Sequence, residues 1–204
     1  MLVSSIPKTD NRFFVFEGVN GSGKSSLIDR LNREIPNSIK TREPGGTPLG
    51  EKLRQILQVD KEPISSLTEL FLFQADRAHH VDFIKTELKK GKTVFCDRYF
   101  YSSIAFQGAG RGLMDVEELS MKAIQGLLPA CVFLLDLDPV EGLKRREGLS
   151  EIDRFEGEQL EFHKRVRAEF LRLAKTRPEP FILIDATKSR EEIFNSVYRI
   201  IGSC

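Results

Sequence analysis

The sequence has no tryptophan, only three cysteines and no long apolar run, and each of these shortages excludes a class of protein. The longest apolar run, residues 130–135, spans six residues, whereas a helix that crosses a bilayer needs about 20. Cys96, Cys131 and Cys204 are odd in number and widely spaced, which argues against a cysteine metal site and is typical of a reducing compartment. Residues 1–12 contain no long apolar segment, so we expect no signal peptide.

The sequence also lacks an excess of charge of either sign. Its 31 Lys and Arg residues stand against 30 Asp and Glu residues, giving a formal net charge of +1. General nucleic-acid-binding proteins are normally more basic, so we expect no nucleic-acid partner. Apolar residues make up 40% of the chain and charged residues 30%, which favours a packed core over disorder. We expect one soluble, cytoplasmic domain over residues 1–204, with an N-terminal extension over 1–12 and no membrane partner.

Short apolar runs alternate with stretches of helical spacing along the chain. Continuous apolar runs without polar alternation predict strands that are covered on both faces, as in a parallel sheet. The predicted strands are 13–16, 38–40, 93–96, 131–135 and 181–184, the second being the weakest. Strands that alternate with amphipathic helices predict an open α/β sheet with helices on both sides. Ligands bind such sheets beyond the carboxyl ends of the strands, so the chemistry is expected just after each apolar run.

A glycine-rich motif follows the first apolar run directly. Residues 18–25 read GVNGSGKS, which fits G-x-x-x-x-G-K-[ST] in full, between a predicted strand and a predicted helix. The glycines let the backbone turn tightly towards a phosphate, and the helix N-terminus adds its positive dipole end. Lys24 is expected to neutralise the β- and γ-phosphates of ATP, and the Ser25 hydroxyl to bind Mg²⁺. The predicted ATP-binding residues are Gly18, Val19, Asn20, Gly21, Ser22, Gly23, Lys24, Ser25 and Ser26.

This P-loop does not by itself name the reaction. The sequence contains neither the D-x-x-G turn nor the N-K-x-D guanine-binding motif of a GTPase. It also lacks the L-S-G-G-Q stretch of a transporter ATPase. The small size therefore favours a small-molecule kinase. Asp97 ends the predicted strand 93–96, where it is placed to hold Mg²⁺ through water, and Arg98 offers a planar fork for a second phosphate group. The alternative for these two residues is a surface ion pair at a strand end.

Four segments together give a specific resemblance. They are the P-loop, TREPGGT at 41–47, FQADR at 73–77 and DRYFYSSIAFQG at 97–108. In their order and spacing the chain resembles a bacterial thymidylate kinase from Phe13 to about Ile201. The resemblance implies transfer of the γ-phosphoryl group of ATP to dTMP with Mg²⁺, and a homodimer. It also implies a three-layer P-loop kinase fold with a parallel, five-stranded sheet flanked by helices and a short lid.

The resemblance also implies an acceptor site. Phe73 and Arg77 are four residues apart on a predicted helix and hence on one face, where the aromatic would stack on thymine and the Arg donate to a base carbonyl. Phe106 would lie against the deoxyribose. The implied dTMP-binding residues are Asn20, Arg42, Pro44, Arg54, Phe73, Arg77, Arg98, Ser102, Ser103, Phe106 and Gln107. Asn20 stands where the family usually has a carboxylate, so we expect weaker discrimination at the sugar 3′ position.

A basic stretch at about 144–157 is implied to be the lid that closes over ATP. The family places a catalytic basic residue either in the P-loop or in the lid, and Gly21 occupies the P-loop position here. The lid must therefore supply the arginine, and Arg145, Arg146 and Arg154 are the candidates. With Lys24 and Arg98 they complete the predicted catalytic set. The residues alone leave two other functions open, a kinase for a different nucleotide or nucleoside and a non-catalytic nucleotide-binding protein on the same fold.

Overall fold

A computed structural model describes residues 11–60, 62–146 and 154–202, and it contains the five predicted strands in one parallel sheet. The strands are β1 (Phe13–Glu17), β2 (Ser38–Arg42), β3 (Thr93–Asp97), β4 (Cys131–Asp136) and β5 (Phe181–Asp185). They lie in the order β2-β3-β1-β4-β5, and every pairing is parallel. The prediction of an α/β fold with a five-stranded parallel sheet is confirmed.

The apolar composition of the strands explains this order. Every residue of β1 is buried, because β3 and β4 flank it in the sheet and helices cover both faces. The edge strand β2 is only partly buried, and its sequence SIKTR is correspondingly polar. Because all the strands are parallel, the residues that follow β1 and β3 meet at the same edge, where Phe16 pairs with Asp97.

Helices cover both faces of the sheet and give three layers. They are α1 (Lys24–Glu34), α2 (Pro48–Arg54), α3 (Ser66–Lys89), α4 (Phe100–Ser103), α5 (Val116–Ile124), α6 (Pro139–Arg146), α7 (Leu160–Thr176) and α8 (Arg190–Ile201). One apolar core joins α1 and α8 to the sheet, and a second joins α3, α4, α5 and α7 to the other face. In α1, α7 and α8 the buried apolar residues recur at helical spacing, so each of these amphipathic helices buries one face.

Two helices continue into wider turns next to the predicted site. α2 runs into a π-helical turn over Gln55–Val59, and α4 into a longer one over Ile104–Gly110. A π-helical turn inserts residues into the 3.6-residue repeat and so rotates the following side chains around the axis. In the first of these turns Leu57 is fully buried, while its neighbour Ile56 is 39% exposed.

The predicted lid lies largely outside the described residues. Helix α6 ends at Arg146, and the chain is described again from a 3₁₀ turn at Arg154–Gly157. Residues 147–153, and the side chain of Arg154, are not described. In the part of the chain that is described, none of the helices is long and apolar enough to span a bilayer.

Candidate active site

The P-loop lies at the carboxyl edge of the sheet, between β1 and α1. Gly18, Gly21 and Gly23 have φ values of 139°, 77° and 94°, which side chains rarely adopt. A Cβ atom on Gly18 would lie 2.4 Å from the Leu135 carbonyl oxygen of the neighbouring strand β4. The loop is therefore shaped by glycine, and α1 begins at Lys24 with its N-terminus against it, an arrangement suited to binding an anion.

Lys24 is buried and folds back over the P-loop. Its Nζ donates to the Gly18 and Val19 carbonyl oxygens, each at 3.0 Å, and to the Ser22 hydroxyl at 3.3 Å. Burial lowers the pKa of Lys24, and the nearby charge of Arg98 lowers it further. A bound phosphate would supply the negative charge that this ammonium group needs.

The residues predicted to hold Mg²⁺ are in contact. The Ser25 hydroxyl donates to Asp97 Oδ2 at 2.6 Å, because the start of α1 and the end of β3 meet at this edge of the sheet. Hydroxyl and carboxylate oxygens are ligands that Mg²⁺ prefers, and the ion usually takes its other ligands from water and phosphate. Across the described ranges, no group of three His, Cys, Asp or Glu side chains could hold a metal by itself. The pair therefore fits a magnesium ion carried in by a nucleotide.

Arg98 connects the P-loop to the acceptor side. It has a φ of 70°, so the chain turns sharply after β3. Its guanidinium group donates to the Gly18 carbonyl oxygen at 3.0 Å, to Asn20 Oδ1 at 2.5 Å and to the Ser102 hydroxyl at 3.1 Å. The group also lies 5.0 Å from the centroid of the Phe106 ring. A cationic fork is thus placed where two phosphate groups would meet.

Glu17 is a residue of this site that the sequence analysis missed. Its carboxylate is fully buried and accepts from the backbone N–H groups of Tyr99 and Ser102 and from the Ser102 hydroxyl. Burial raises the pKa of Glu17, while the charge of Arg98 opposes that shift. Glu17 therefore ties β1 to the segment that carries Arg98. The available signal was an acidic residue at the end of an otherwise apolar strand directly before the P-loop.

A cleft lies beside Arg98 and the P-loop residue Asn20. Nine of the predicted acceptor residues line it, namely Asn20, Pro44, Phe73, Arg77, Arg98, Ser102, Ser103, Phe106 and Gln107. Four lining residues were not predicted: Glu43, Gln58, Tyr99 and Phe155. The structure thus brings together residues from the P-loop, the 41–47 segment, α3 and the 97–108 segment around one space.

Arg77 is buried at the far end of the cleft and is almost fully hydrogen-bonded. Its Nε donates to Glu43 at 2.8 Å, one terminal nitrogen donates to Gln74 and Ser103, and the other to the Tyr99 carbonyl oxygen. A guanidinium group has five N–H donors, and these four bonds leave one for a ligand. Arg77 is therefore rigidly held, with capacity for a single hydrogen bond to a ligand in the cleft.

Aromatic rings form the apolar walls of the cleft. The centroid of Phe155 lies 6.2 Å from that of Phe73 and 5.3 Å from that of Phe106. Phe155 belongs to the 3₁₀ turn at the end of the predicted lid segment, so the cleft is lined there by a residue far from the others in sequence. At these distances the rings contact each other, so they form one apolar wall of the cleft, on which an aromatic base can stack.

The polar side chains of the cleft occupy two different ends. The Ser102 hydroxyl bonds with Arg98 and Glu17, which places it at the end nearer the P-loop. Ser103 accepts from Arg77 at the far end, and Gln107 donates to Glu69 of α3 at 2.9 Å.

Two predicted phosphate-binding arginines lie beside the cleft and not in its lining. Arg42 is about half exposed and donates to Glu51 at 2.9 Å, while Arg54 donates to the Pro44 carbonyl oxygen at 3.0 Å. Pro44 does line the cleft, so Arg54 supports its wall.

The lid arginines that are described differ in position. Arg145 donates to Glu141 and to the Ala186 carbonyl oxygen, which lies just after β5. The positive charge of Arg146 contributes to the lowered pKa of Lys24, so its charge acts on the P-loop.

The geometry of a P-loop joined to an aromatic cleft agrees with comparisons to known proteins. The sequence profile of the thymidylate kinase family matches residues 16–197. The chain belongs to the thymidylate kinase family. The thymidylate kinase of Halothermothrix orenii is 43% identical over 202 residues, covering 94% of this chain and 97% of the relative. That of Carboxydothermus hydrogenoformans is 46% identical over 191 residues, covering 90% and 93%.

A solved structure of the same family supports the fold. The crystal structure of thymidylate kinase from Ehrlichia chaffeensis aligns with a TM-score of 0.76 and 31% identity, covering 93% of this chain and 97% of that one. The predictions of family, of a P-loop kinase fold and of a kinase activity are therefore confirmed. The roles of individual thymidylate kinase site residues stay predictions.

Proposed function

We propose that this chain transfers the γ-phosphoryl group of ATP to dTMP, giving ADP and dTDP, a step in dTTP biosynthesis. One observation carries the proposal: a P-loop and an aromatic cleft share Arg98 at their junction. Two nucleotides bound in these two sites would meet end to end at that residue. Membership of the thymidylate kinase family supports the choice of acceptor.

On the donor side, the P-loop residues 18–26 would bind the phosphates of ATP. Lys24 would exchange its backbone carbonyl partners for phosphate oxygens, which carry more charge. Ser25 and Asp97 would hold Mg²⁺, which neutralises negative charge on the phosphates when bound. Arg145, Arg146 and Arg154 are the proposed lid residues. After burial and the charge of Arg98, the charge of Arg146 also lowers the pKa of Lys24.

On the acceptor side, the thymine ring of dTMP would stack on Phe73 at the apolar wall that Phe73, Phe106 and Phe155 form in the cleft. The one remaining N–H of Arg77 would donate to a base carbonyl oxygen. This donor disfavours the amino group of cytosine, because two donors would face each other. The dTMP phosphate would lie near Arg98, with Arg42 and Arg54 as the outer basic groups.

The chemistry needs positioning and charge neutralisation and little else. An oxygen of the dTMP phosphate forms a bond to the γ-phosphorus, and the bond from that phosphorus to the bridging oxygen of ADP breaks in line. No general base is required, because the attacking oxygen is already an anion. Lys24, Arg98 and a lid arginine would neutralise the charge that spreads over the transferred group, which is where most of the rate enhancement arises.

A steady-state assay with a panel of acceptors tests the function. With ATP and Mg²⁺ we expect the highest kcat/KM for dTMP among dTMP, dUMP, dCMP, AMP, GMP and thymidine. A higher value for another acceptor would select the alternative of a different nucleotide or nucleoside kinase. ATP binding without acceptor-dependent ADP release would select the non-catalytic alternative.

Removal of the Lys24 ammonium group tests the donor site. We expect Lys24→Ala to lower kcat by more than about tenfold, because it removes the ammonium group that would neutralise the β- and γ-phosphates of ATP. Lys122→Ala is the matched control, since this lysine is 70% exposed on α5, where it pairs with Glu118. Lys24→Ala activity within tenfold of the wild type, with Lys122→Ala equally active, contradicts the proposed donor site.

Three further predictions accompany this function. A homodimer and a cytoplasmic location stay predictions from the sequence. ATP and dTMP are the proposed partners, and we propose neither a nucleic-acid nor a membrane partner.

A further inference from the structure

The two ends of the Gln107 side-chain amide lie in different surroundings. Gln107 is 2% exposed and lines the cleft together with Phe73 and Arg77. One end of its amide lies 2.9 Å from Oε1 of Glu69, a buried residue of α3 that does not line the cleft. Within the described ranges, no donor is bonded to the other end. The orientation of this amide therefore decides whether the cleft meets a donor or an acceptor.

Glu69 determines that orientation by its chemistry. Its Oε2 forms a salt bridge with Arg111 at 3.2 Å, and an ionised carboxylate has only acceptor oxygens. The amide atom that faces Glu69 must then be the nitrogen, because two facing oxygens would repel each other. The two ends of an amide are distinguished by such networks and not by shape. Gln107 is thus left with its carbonyl oxygen for the cleft.

We propose that Glu69 is a positioning residue that makes Gln107 an acceptor and so selects thymine over cytosine. The inference rests on the proposed function, in which the acceptor base binds in the cleft beside Phe73. Thymine carries a hydrogen on N3, which the Gln107 carbonyl oxygen accepts. Cytosine has a lone pair on N3, which that oxygen repels. The remaining N–H of Arg77 then donates to a thymine carbonyl oxygen, and the Gln107 oxygen accepts from the adjacent N3–H. The two side chains together match the hydrogen-bonding edge of thymine.

The substitution Glu69→Gln is expected to invert the Gln107 amide. Arg111 continues to donate to residue 69, so the new carbonyl oxygen faces Arg111 and the new NH₂ group faces Gln107. Gln107 then turns its oxygen towards residue 69 and its NH₂ group towards the cleft. The cleft now presents a donor to N3, which opposes thymine and suits cytosine. The shape and volume at position 69 are almost unchanged.

The test measures competition between dTMP and 5-methyl-dCMP in one reaction. The two acceptors carry the same 5-methyl group and differ at N3 and position 4, and the ratio of their kcat/KM values is independent of the fraction of folded enzyme. We expect Glu69→Gln to lower the preference for dTMP by about tenfold or more. The reason is that the Gln107 NH₂ group would then face the N3–H of thymine, which leaves two buried donors without an acceptor. The double variant Glu69→Gln/Gln107→Glu exchanges amide and carboxylate, restores an acceptor to the cleft, and is expected to recover the dTMP preference.

The control is Glu158→Gln, which removes the other carboxylate partner of Arg111 without touching Gln107. We expect it to keep the wild-type preference. A Glu69→Gln preference within about threefold of the wild type overturns the inference, as does an equal loss in Glu158→Gln. If Glu69→Gln does not fold, the double variant decides alone: a retained preference supports the inference and a lost one overturns it. Failure of the wild type to phosphorylate dTMP would instead overturn the proposed function.

Discussion

Individual buried charges beneath the cleft form one connected group. Glu43 accepts from Arg77 and pairs with His80, whose second ring nitrogen lies 2.6 Å from the Thr41 hydroxyl. Asp76 completes the group, with Oδ1 accepting from the Gly45 N–H at 3.2 Å. Asp76 Oδ2 is buried and has no hydrogen-bond partner among the described residues. Burial, and then the charge of Glu43, raises the pKa of Asp76 to about 6.

The raised pKa of Asp76 predicts a pH-dependent stability. The folded-state value of about 6 lies above the usual 3.8, so the folded protein binds a proton that the unfolded chain has lost. Asp76 then contributes stability that is complete below about pH 4 and lost as the pH rises through about 6. Asp76→Asn keeps an oxygen for Gly45 and never ionises, so this loss is expected to be absent.

Urea unfolding at pH 4, 5, 6 and 7 measures this effect. We expect the free energy of unfolding of Asp76→Asn relative to wild type to rise with pH, by about 1 kcal/mol or more at pH 7. Asp82→Asn, at an exposed position of the same helix, is the control and is expected to follow the wild type. Parallel curves for wild type and Asp76→Asn would show that Asp76 is not the titrating group.

At the scale of elements, α6 and the P-loop approach each other through glycines. A Cβ on Gly142 of α6 would lie 2.4 Å from the Asn20 carbonyl oxygen, and one on Gly21 would lie 2.2 Å from the Gly142 carbonyl oxygen. Both contacts involve backbone, which cannot move aside as a flexible side chain can. The helix that leads into the lid is therefore packed directly against the loop proposed to bind ATP.

The close approach predicts that Gly142→Ala weakens ATP binding. The added methyl group must push the P-loop away from α6, a strain of about 1–3 kcal/mol, which corresponds to about a 5- to 150-fold loss of affinity. Gly202→Ala is the control, because its Cβ would meet its nearest atom at an ordinary 3.4 Å at the end of α8. Calorimetric titration with ATP gives both affinities, and an unchanged dissociation constant for Gly142→Ala would mean that the contact does not shape the donor site.

At the scale of the whole molecule, α3 carries large apolar side chains on its outer surface. Leu67 and Phe71 are 51% and 52% exposed and lie one helical turn apart. Contiguous exposed apolar groups commonly mark a protein–protein contact. We therefore take this surface as the candidate interface of the homodimer that the family resemblance implies.

The predicted homodimer is tested by placing a charge in this surface. We expect wild type to sediment as a dimer and Phe71→Glu to shift towards monomer, because burial of an unpaired carboxylate is costly. Met114→Glu is the control, since this side chain is 81% exposed in the loop before α5, and it is expected to remain dimeric. A dimeric Phe71→Glu would place the interface elsewhere, and a monomeric wild type would contradict the prediction of a dimer.

The strands and the P-loop could be predicted because their signals are local, whereas the acceptor residues that line the cleft were implied by the family resemblance. An apolar run, a glycine spacing or a pair at i and i+4 is visible within a few residues. Leu49, Leu53, Ile56 and Leu57 follow a helical spacing in the sequence, yet Leu49 is 45% exposed and Ile56 39% exposed. The π-helical turn at Gln55–Val59 changes the 3.6-residue repeat of the helix, and no local sequence pattern predicts it.

The amino-acid sequence by itself determined the fold class, the donor loop and the family, because glycine backbone freedom, apolar periodicity and motif order are properties of the chain. Only the tertiary structure decided which polar groups face each other. Glu17 under Arg98, Glu69 behind Gln107 and Phe155 across from Phe73 join residues far apart in sequence. In a buried site the partner of each donor and acceptor determines its orientation, and that partner is chosen by packing.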